Sequence, residues 1–223
     1  MTFSLVARDS GGAFGMVVCS SSPAVAARCL HVRSGVGVVA SQNVTNPQLG
    51  PVGLDALASG ANAETALKTA LAQEKFPEYR QVVVVDADGG TAVHSGAQTL
   101  GIHSSAQGSG AAVAGNMLRD EGVIRSLLFG YVSSTAPTFE DRLLDGLTAA
   151  VTTGGEAGPV HSAGIQVVED VPWPVTDLRV DWHDDPVGEL RRLWTVWEPQ
   201  KRDYRVRGVD PTAAPSYGVP GDL

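Results

Sequence analysis

Thr2 stands directly behind Met1 in the opening run MTFSLVARDSGGAFGMVVCSSS. It is small enough for methionine aminopeptidase to act, and once Met1 is gone it carries a hydroxyl and an α-amine on one residue. That amine has an ordinary pKa of about 7.7 to 8.0, so near pH 7 a useful fraction is neutral and takes the hydroxyl proton directly or through one water. One residue then serves as nucleophile and base. Threonine also follows Met in many proteins with no such role, so the rest of the chain must place Thr2 in a site. Phe3 to Arg8 and Phe14 to Ser20 read as strands joined by Asp9-Ser10-Gly11-Gly12, a hairpin turn composition. If the second strand returns antiparallel to the first, the hydroxyls of Ser20, Ser21 and Ser22 sit beside Thr2.

The elements that follow repeat one pattern. Val36 to Gln42 reads as a strand, and the amide-rich run Gln42-Asn43-Val44-Thr45-Asn46-Pro47 leaves it. Those amides either line a pocket or satisfy their own turn. Helices are predicted over Pro51 to Ser59 and over Asn62 to Gln73, with Asn62 as N-cap. A second hairpin follows, Gln81 to Asp86 and Thr91 to Ser95, whose Val82 to Val85 is apolar on both faces. Ala111 to Ala114 is a short strand, and helices are expected from Leu118 to Phe129 and from a capping box at Thr138 and Asp141 to Val151. Ser162 to Val168 and Leu178 to Asp181 read as strands. Pro186 to Trp197 reads as a helix with Leu190, Leu193, Trp194 and Trp197 on one face. Hairpins alternating with helix pairs, with strands apolar on both sides, predict an α+β fold: a four-layer αββα sandwich of two antiparallel sheets. One domain is expected over residues 1–207, with residues 208–223 a Pro/Gly-rich tail, either disordered or clasping a neighbouring subunit.

Composition excludes several function classes. A net charge of −8 lacks the basic face that nucleic acid requires. No apolar stretch approaches membrane-spanning length, and the opening run lacks the basic flank of a secretory signal, so a cytoplasmic location is expected. The five histidines show no paired metal-ligand spacing, and the glycines form no phosphate-binding loop, so neither metal nor cofactor is expected. His183 among Asp181, Asp184 and Asp185 reads as a solvated acidic loop before a helix. Cys19 with His31 is a remote alternative nucleophile, since a mid-strand Cys usually faces packing.

The blocks MTFSLVARD, ASQNVTNPQLGPVGL, RQVVVVDADG, AGNML, HSAGIQVVED and DLRVDWHDDPVGELRRL, in that order from Met1 to about Leu193, resemble the DUF1028 family. The family's biochemical role is largely uncharacterised. Its fold resembles the N-terminal nucleophile (Ntn) hydrolases, the αββα class that includes proteasome β subunits. The resemblance implies Thr2 as nucleophile and Arg33 as the third-strand cation, where the related proteins carry Lys. Arg stays charged, so it stabilises negative charge but cannot act as a base. It also sets Ser20 where those proteins have an Asp.

Asn116 in AGNML is the candidate oxyanion-hole residue, through its side-chain amide or the backbone N–H groups that follow; as a simple cap or turn residue it would look the same. Ser162 is a candidate support for the Thr2 amine. A pocket lined by Arg33, Gln42, Asn43 and Asn46, with Ser20 nearby, would suit a small polar acyl amide or ureido compound. Two functions are therefore carried forward: an N-terminal-threonine amidohydrolase acting on a small molecule, or a non-catalytic member of the same fold that binds a small molecule or serves in assembly. The Trp-rich C-terminal quarter and the tail point to a homo-oligomer, dimer or larger.

Overall fold

In the computed structural model, which describes residues 1–221, the opening hairpin pairs β1 (Thr2–Arg8) with β2 (Phe14–Ser20) in the register Phe3↔Cys19 to Arg8↔Phe14. Asp9 closes the turn by accepting the Ala13 N–H on Oδ1 at 2.8 Å, and Gly12 takes the positive φ of 90° that the reversal requires. A four-residue helix α1 (Ala26–Cys29) leads to β3 (Leu30–Arg33) and β4 (Gly37–Asn43). Then come α2 (Leu49–Ala58), α3 (Ala63–Ala72), β5 (Arg80–Asp86), β6 (Thr91–Ser95), β7 (Ser104–Gly108) and β8 (Ala111–Asn116). The chain continues through α4 (Gly122–Ser133), α5 (Phe139–Thr152), β9 (Ser162–Val168), β10 (Pro174–Val180) and α6 (Pro186–Val209).

These strands form two antiparallel sheets, β10-β9-β2-β1-β8-β7 and β3-β4-β5-β6. Period-two alternation sends Phe3, Leu5 and Ala7 outward against α4, α5 and α6, and sends Val6, with Phe14, Met16 and Val18 of β2, inward between the sheets. In β5 the valine run divides the same way: Val83 and Val85 fill the space between the sheets, while Val82 and Val84 meet α2 and α3. Three apolar layers therefore separate four structural ones, the αββα arrangement that the two-sided strands predict. Among the described residues no helix is long and apolar enough to cross a membrane.

The differences from the sequence reading have local causes. β7 has no apolar alternation to announce it; as an edge strand it needs only its backbone pairing with β8. The helix expected from Leu118 begins at Gly122, because Met117, Leu118 and Arg119 give their N–H groups to Leu100, Ile102 and Gly155 carbonyls in other segments. The last helix runs past Trp197 to Val209, across residue 207, carried by Trp197 Nε1 on the Val175 carbonyl at 3.0 Å and Lys201 Nζ on Glu140 at 2.7 Å. Of the expected tail, residues 210–221 fold back so that the Arg207 guanidinium lies 3.9 Å from the Tyr217 ring centre; residues 222–223 lie outside the described residues.

Thr138 caps α5 where the sequence predicts, its Oγ1 accepting the Asp141 N–H at 3.1 Å, while the Asp141 carboxylate takes the Thr138 hydroxyl at 2.6 Å and not the backbone N–H of a full capping box. Thr138→Ala is expected to cost about 1 kcal/mol, read as a lowered urea midpoint with an unchanged m-value.

Candidate active site

Alternation along three neighbouring strands brings the end residues together. Thr2 pairs across the ladder with Asn116, and the hairpin register continues to set Ser20 on its other side. Thr2 and Ser20 lie on the strand positions that face the other sheet, as does Asn116 beyond Ala112 and Ala114. Thr2 is 3% exposed, Ser20 and Asn116 not at all. Thr2 Oγ1 lies 3.5 Å from Ser20 Oγ, and both hydroxyls donate to the Met1 carbonyl oxygen. Ser20 Oγ lies 2.8 Å from Ser22 Oγ and accepts the Ser22 N–H at 3.1 Å. Arg28 closes this chain, donating through Nη2 to Ser22 Oγ and through Nη1 to the Pro23 and Ala24 carbonyls at 2.6 and 3.0 Å. A fixed positive charge is thus linked to the Thr2 hydroxyl through two serines.

A carboxylate flanks the same end. Glu156, only 2% exposed, accepts the Ser21 N–H on both oxygens at 3.2 and 3.1 Å, and its segment bridges to Leu118 just beyond Asn116. Burial pushes its carboxyl up from an ordinary 4.5 to about 7, against the opposing pull of the Ser21 hydrogen bonds and the positive N-terminal amine.

The backbone is stressed here as well. Among the described residues, three other than glycine have positive φ: Ala24 at 51°, Asn43 at 71° and Met117 at 50°. Ala24 follows the serine run, Met117 follows Asn116, and Asn43 ends β4 one residue past Gln42, whose side chain reaches the sheet carrying Thr2. Left-handed backbone at non-glycine residues is costly and gathers at functional sites.

The profile of the family of unknown function DUF1028 matches residues 2–190. The chain belongs to the DUF1028 family. The crystal structure of protein SPO2555 from Silicibacter pomeroyi, assigned to the same family, is similar at 30% identity and a TM-score of 0.83, over 91% of this chain and 94% of that one. Anbu (ancestral beta-subunit) from Yersinia bercovieri aligns at 11% identity and a TM-score of 0.38, over 91% of this chain and 96% of that one. No curated protein matches the chain.

Not every residue singled out from the sequence of this DUF1028 chain reaches Thr2. Arg33 is a correction. It pairs with Gly37, at the far end of β4 from Gln42, about 17 Å away at the rise of a strand, and binds Asp55 Oδ1 at 2.9 Å on the surface. A place on the third strand does not bring it to Thr2, because β3 starts at Leu30 and runs away from the site. Arg28, five residues earlier, is a cation joined to this end through Ser22. Asn46 is also drawn away: its Nδ2 donates to Glu74 Oε2 at 2.7 Å. Arg80, ion-paired with that carboxyl at 3.0 Å, holds it down at about 2.

Gln42 is fully buried and ties the sheets together instead of lining a pocket. It accepts from Ser4 Oγ at 2.7 Å and donates to Gln81 Oε1 at 2.7 Å and to the Ala114 carbonyl at 3.1 Å. Ser162 pins the loop after β2, donating to the Ser22 carbonyl at 2.6 Å and accepting the Val25 N–H at 3.2 Å. Asn116 stands beside Thr2 as an oxyanion residue would, but its Nδ2 donates to Gln81 Oε1 at 3.1 Å, and the next two backbone N–H groups are engaged elsewhere. Cys19 packs in the outer layer beneath the helices, its thiol pushed well up by burial, while His31 lies on the other sheet against Gly50. They form no dyad.

Sequence reasoning missed Glu156 and Arg28. Glu156 sits in a glycine-rich loop far along the chain, where its signal is a lone acid behind Gly154 and Gly155; Arg28 follows the small residues Ala24 to Ala27 with no pattern to mark it. Among the described residues no three His, Cys, Asp or Glu side chains converge as a metal site. Cavities of about 710 and 750 Å³ lie elsewhere, one between α4 and α5 and one at the β1–β2 turn.

Proposed function

We propose that this chain is an N-terminal-threonine amidohydrolase, acting on a small polar amide or ureido compound once Met1 has been removed. The observation that carries the reading is the seat of the Met1 carbonyl: its oxygen accepts from the Thr2 and Ser20 hydroxyls together, at the end of β1 and β2. Loss of Met1 vacates that seat for the carbonyl of a substrate.

The steps follow from the groups in place. The neutral Thr2 amine takes the Oγ1 proton as Oγ1 attacks the acyl carbon, and Ser20 Oγ donates to the oxygen that gains negative charge. The amine returns the proton to the leaving nitrogen as the C–N bond breaks, leaving an ester on Thr2. Water, deprotonated by the same amine, then releases the acid and restores the hydroxyl. Arg28, acting through Ser22 and Ser20, favours the charge that develops on oxygen.

Intact-mass measurement of protein purified from its native host is expected to find Met1 absent. A panel of small amides, lactams and N-carbamoyl compounds is expected to contain a substrate. Retention of Met1 in most molecules would leave no free amine on Thr2 and would favour the non-catalytic binding or assembly role instead.

A further inference from the structure

We infer that Asn116 positions the Thr2 amine through its side-chain carbonyl oxygen, acting as an acceptor and not as an oxyanion donor. This deepens the hydrolase reading and rests on it for its catalytic meaning. The orientation of the Asn116 amide is set by the polar ladder between the sheets. Gln42 must present nitrogen to the Ala114 carbonyl at 3.1 Å, and Gln81 must present nitrogen to the Gly115 carbonyl at 3.1 Å. With both glutamines fixed, Gln81 has only Oε1 left for Asn116, so the Asn116 atom facing it at 3.1 Å is Nδ2. Oδ1 is then fully buried, and among the described residues nothing donates to it. Buried acceptors in native proteins are rarely left unpaired, so a donor is missing.

The ladder shows where that donor arises. The Arg8 N–H donates to the Gly110 carbonyl at 2.8 Å, and in an antiparallel pair such bonded positions recur every second residue. Counting back through Val6↔Ala112 and Ser4↔Ala114 makes Thr2↔Asn116 a bonded pair, with the Thr2 nitrogen directed at the Asn116 main chain. While Met1 is attached, that nitrogen has one hydrogen, spent in the ladder. Once Met1 leaves, the same atom becomes an ammonium with three, beside a vacant acceptor on its cross-strand partner. A hydrogen bond from the ammonium favours the charged form, so Asn116 raises the amine pKa and orients the nitrogen towards Oγ1.

The test uses the whole chain released from a removable N-terminal fusion cut directly before Thr2, so it depends neither on processing in the cell nor on a known substrate. The amine midpoint is read by NMR of protein carrying isotope-labelled threonine nitrogen. Asn116→Ala is expected to lower that midpoint by about one pH unit and Asn116→Asp to raise it by a similar amount. A purely structural Asn116 would change the melting temperature of both variants and the amine midpoint of neither. The wild type supplies a reading that needs no variant: the labelled side-chain carbonyl carbon of Asn116 is expected to titrate at the amine's own midpoint. A carbonyl carbon blind to that titration overturns the inference, as does an amine midpoint unmoved in folded variants. Coupled titration without hydrolysis of any panel compound would uphold the positioning and sink the hydrolase reading; hydrolysis with an uncoupled Asn116 would do the reverse.

Discussion

Thr2→Ala is expected to abolish hydrolysis, lowering kcat by roughly four orders of magnitude or more, the scale of loss when a covalent nucleophile is removed. The substitution is a clean one. Alanine is also small enough for Met1 removal, so the α-amine is still produced; only the attacking oxygen is lost. Among the described residues Thr2 Oγ1 contacts only the Met1 carbonyl and the Ser20 hydroxyl, so the fold should lose no more than about 1 kcal/mol. Thr2→Ser keeps the oxygen and is expected to retain activity within about tenfold, the methyl group serving to restrict rotation about χ1. The check is kcat on whichever panel compound the wild type hydrolyses, alongside melting temperatures for all three proteins. Full turnover by Thr2→Ala would end the proposal.

What the sequence revealed and what it hid follow from how far each signal reaches. The hairpin was legible because its turn residues and two apolar runs are local, and antiparallel return alone brings Ser20 to Thr2. The sandwich was legible because strands such as Val82 to Val85 are apolar on both faces, which only a doubly covered sheet accommodates. The polar partners were not. Glu156 reaches the site across 135 positions to Ser21, and no periodicity encodes a contact of that span. Arg33 misled because a family resemblance in sequence says nothing about the direction of a strand, and β3 points it away from Thr2. Gln42 and Asn116 lie at the Thr2 end of their strands, with roles the sequence could not resolve. Whether an amide faces a ligand or another amide depends on Gln81, which arrives from a different hairpin.

Stability should fall as pH rises from about 4.5 to about 7, and Glu156→Gln should remove its share of that fall. The Glu156 carboxyl is raised from 4.5 to about 7 by burial, so between those values the folded chain keeps a proton that the unfolded chain has released. Its contribution is therefore fully present below the unfolded value and lost as pH climbs through the folded one, worth on the order of 3 kcal/mol. Glutamine has the shape of the protonated acid and keeps an oxygen for the Ser21 N–H, so the variant should match wild type near pH 4 and exceed it by up to about 3 kcal/mol near pH 8. His31 works against this trend within the wild type. Burial lowers its pKa, so its contribution grows as pH rises towards the ordinary histidine value. Because His31 is unchanged in the variant, it cancels in the difference between the two proteins, which is the quantity to measure by urea unfolding across that range. Parallel curves for variant and wild type would mean that Glu156 carries no such proton, and the carboxylate beside Ser21 would then be charged throughout the neutral range.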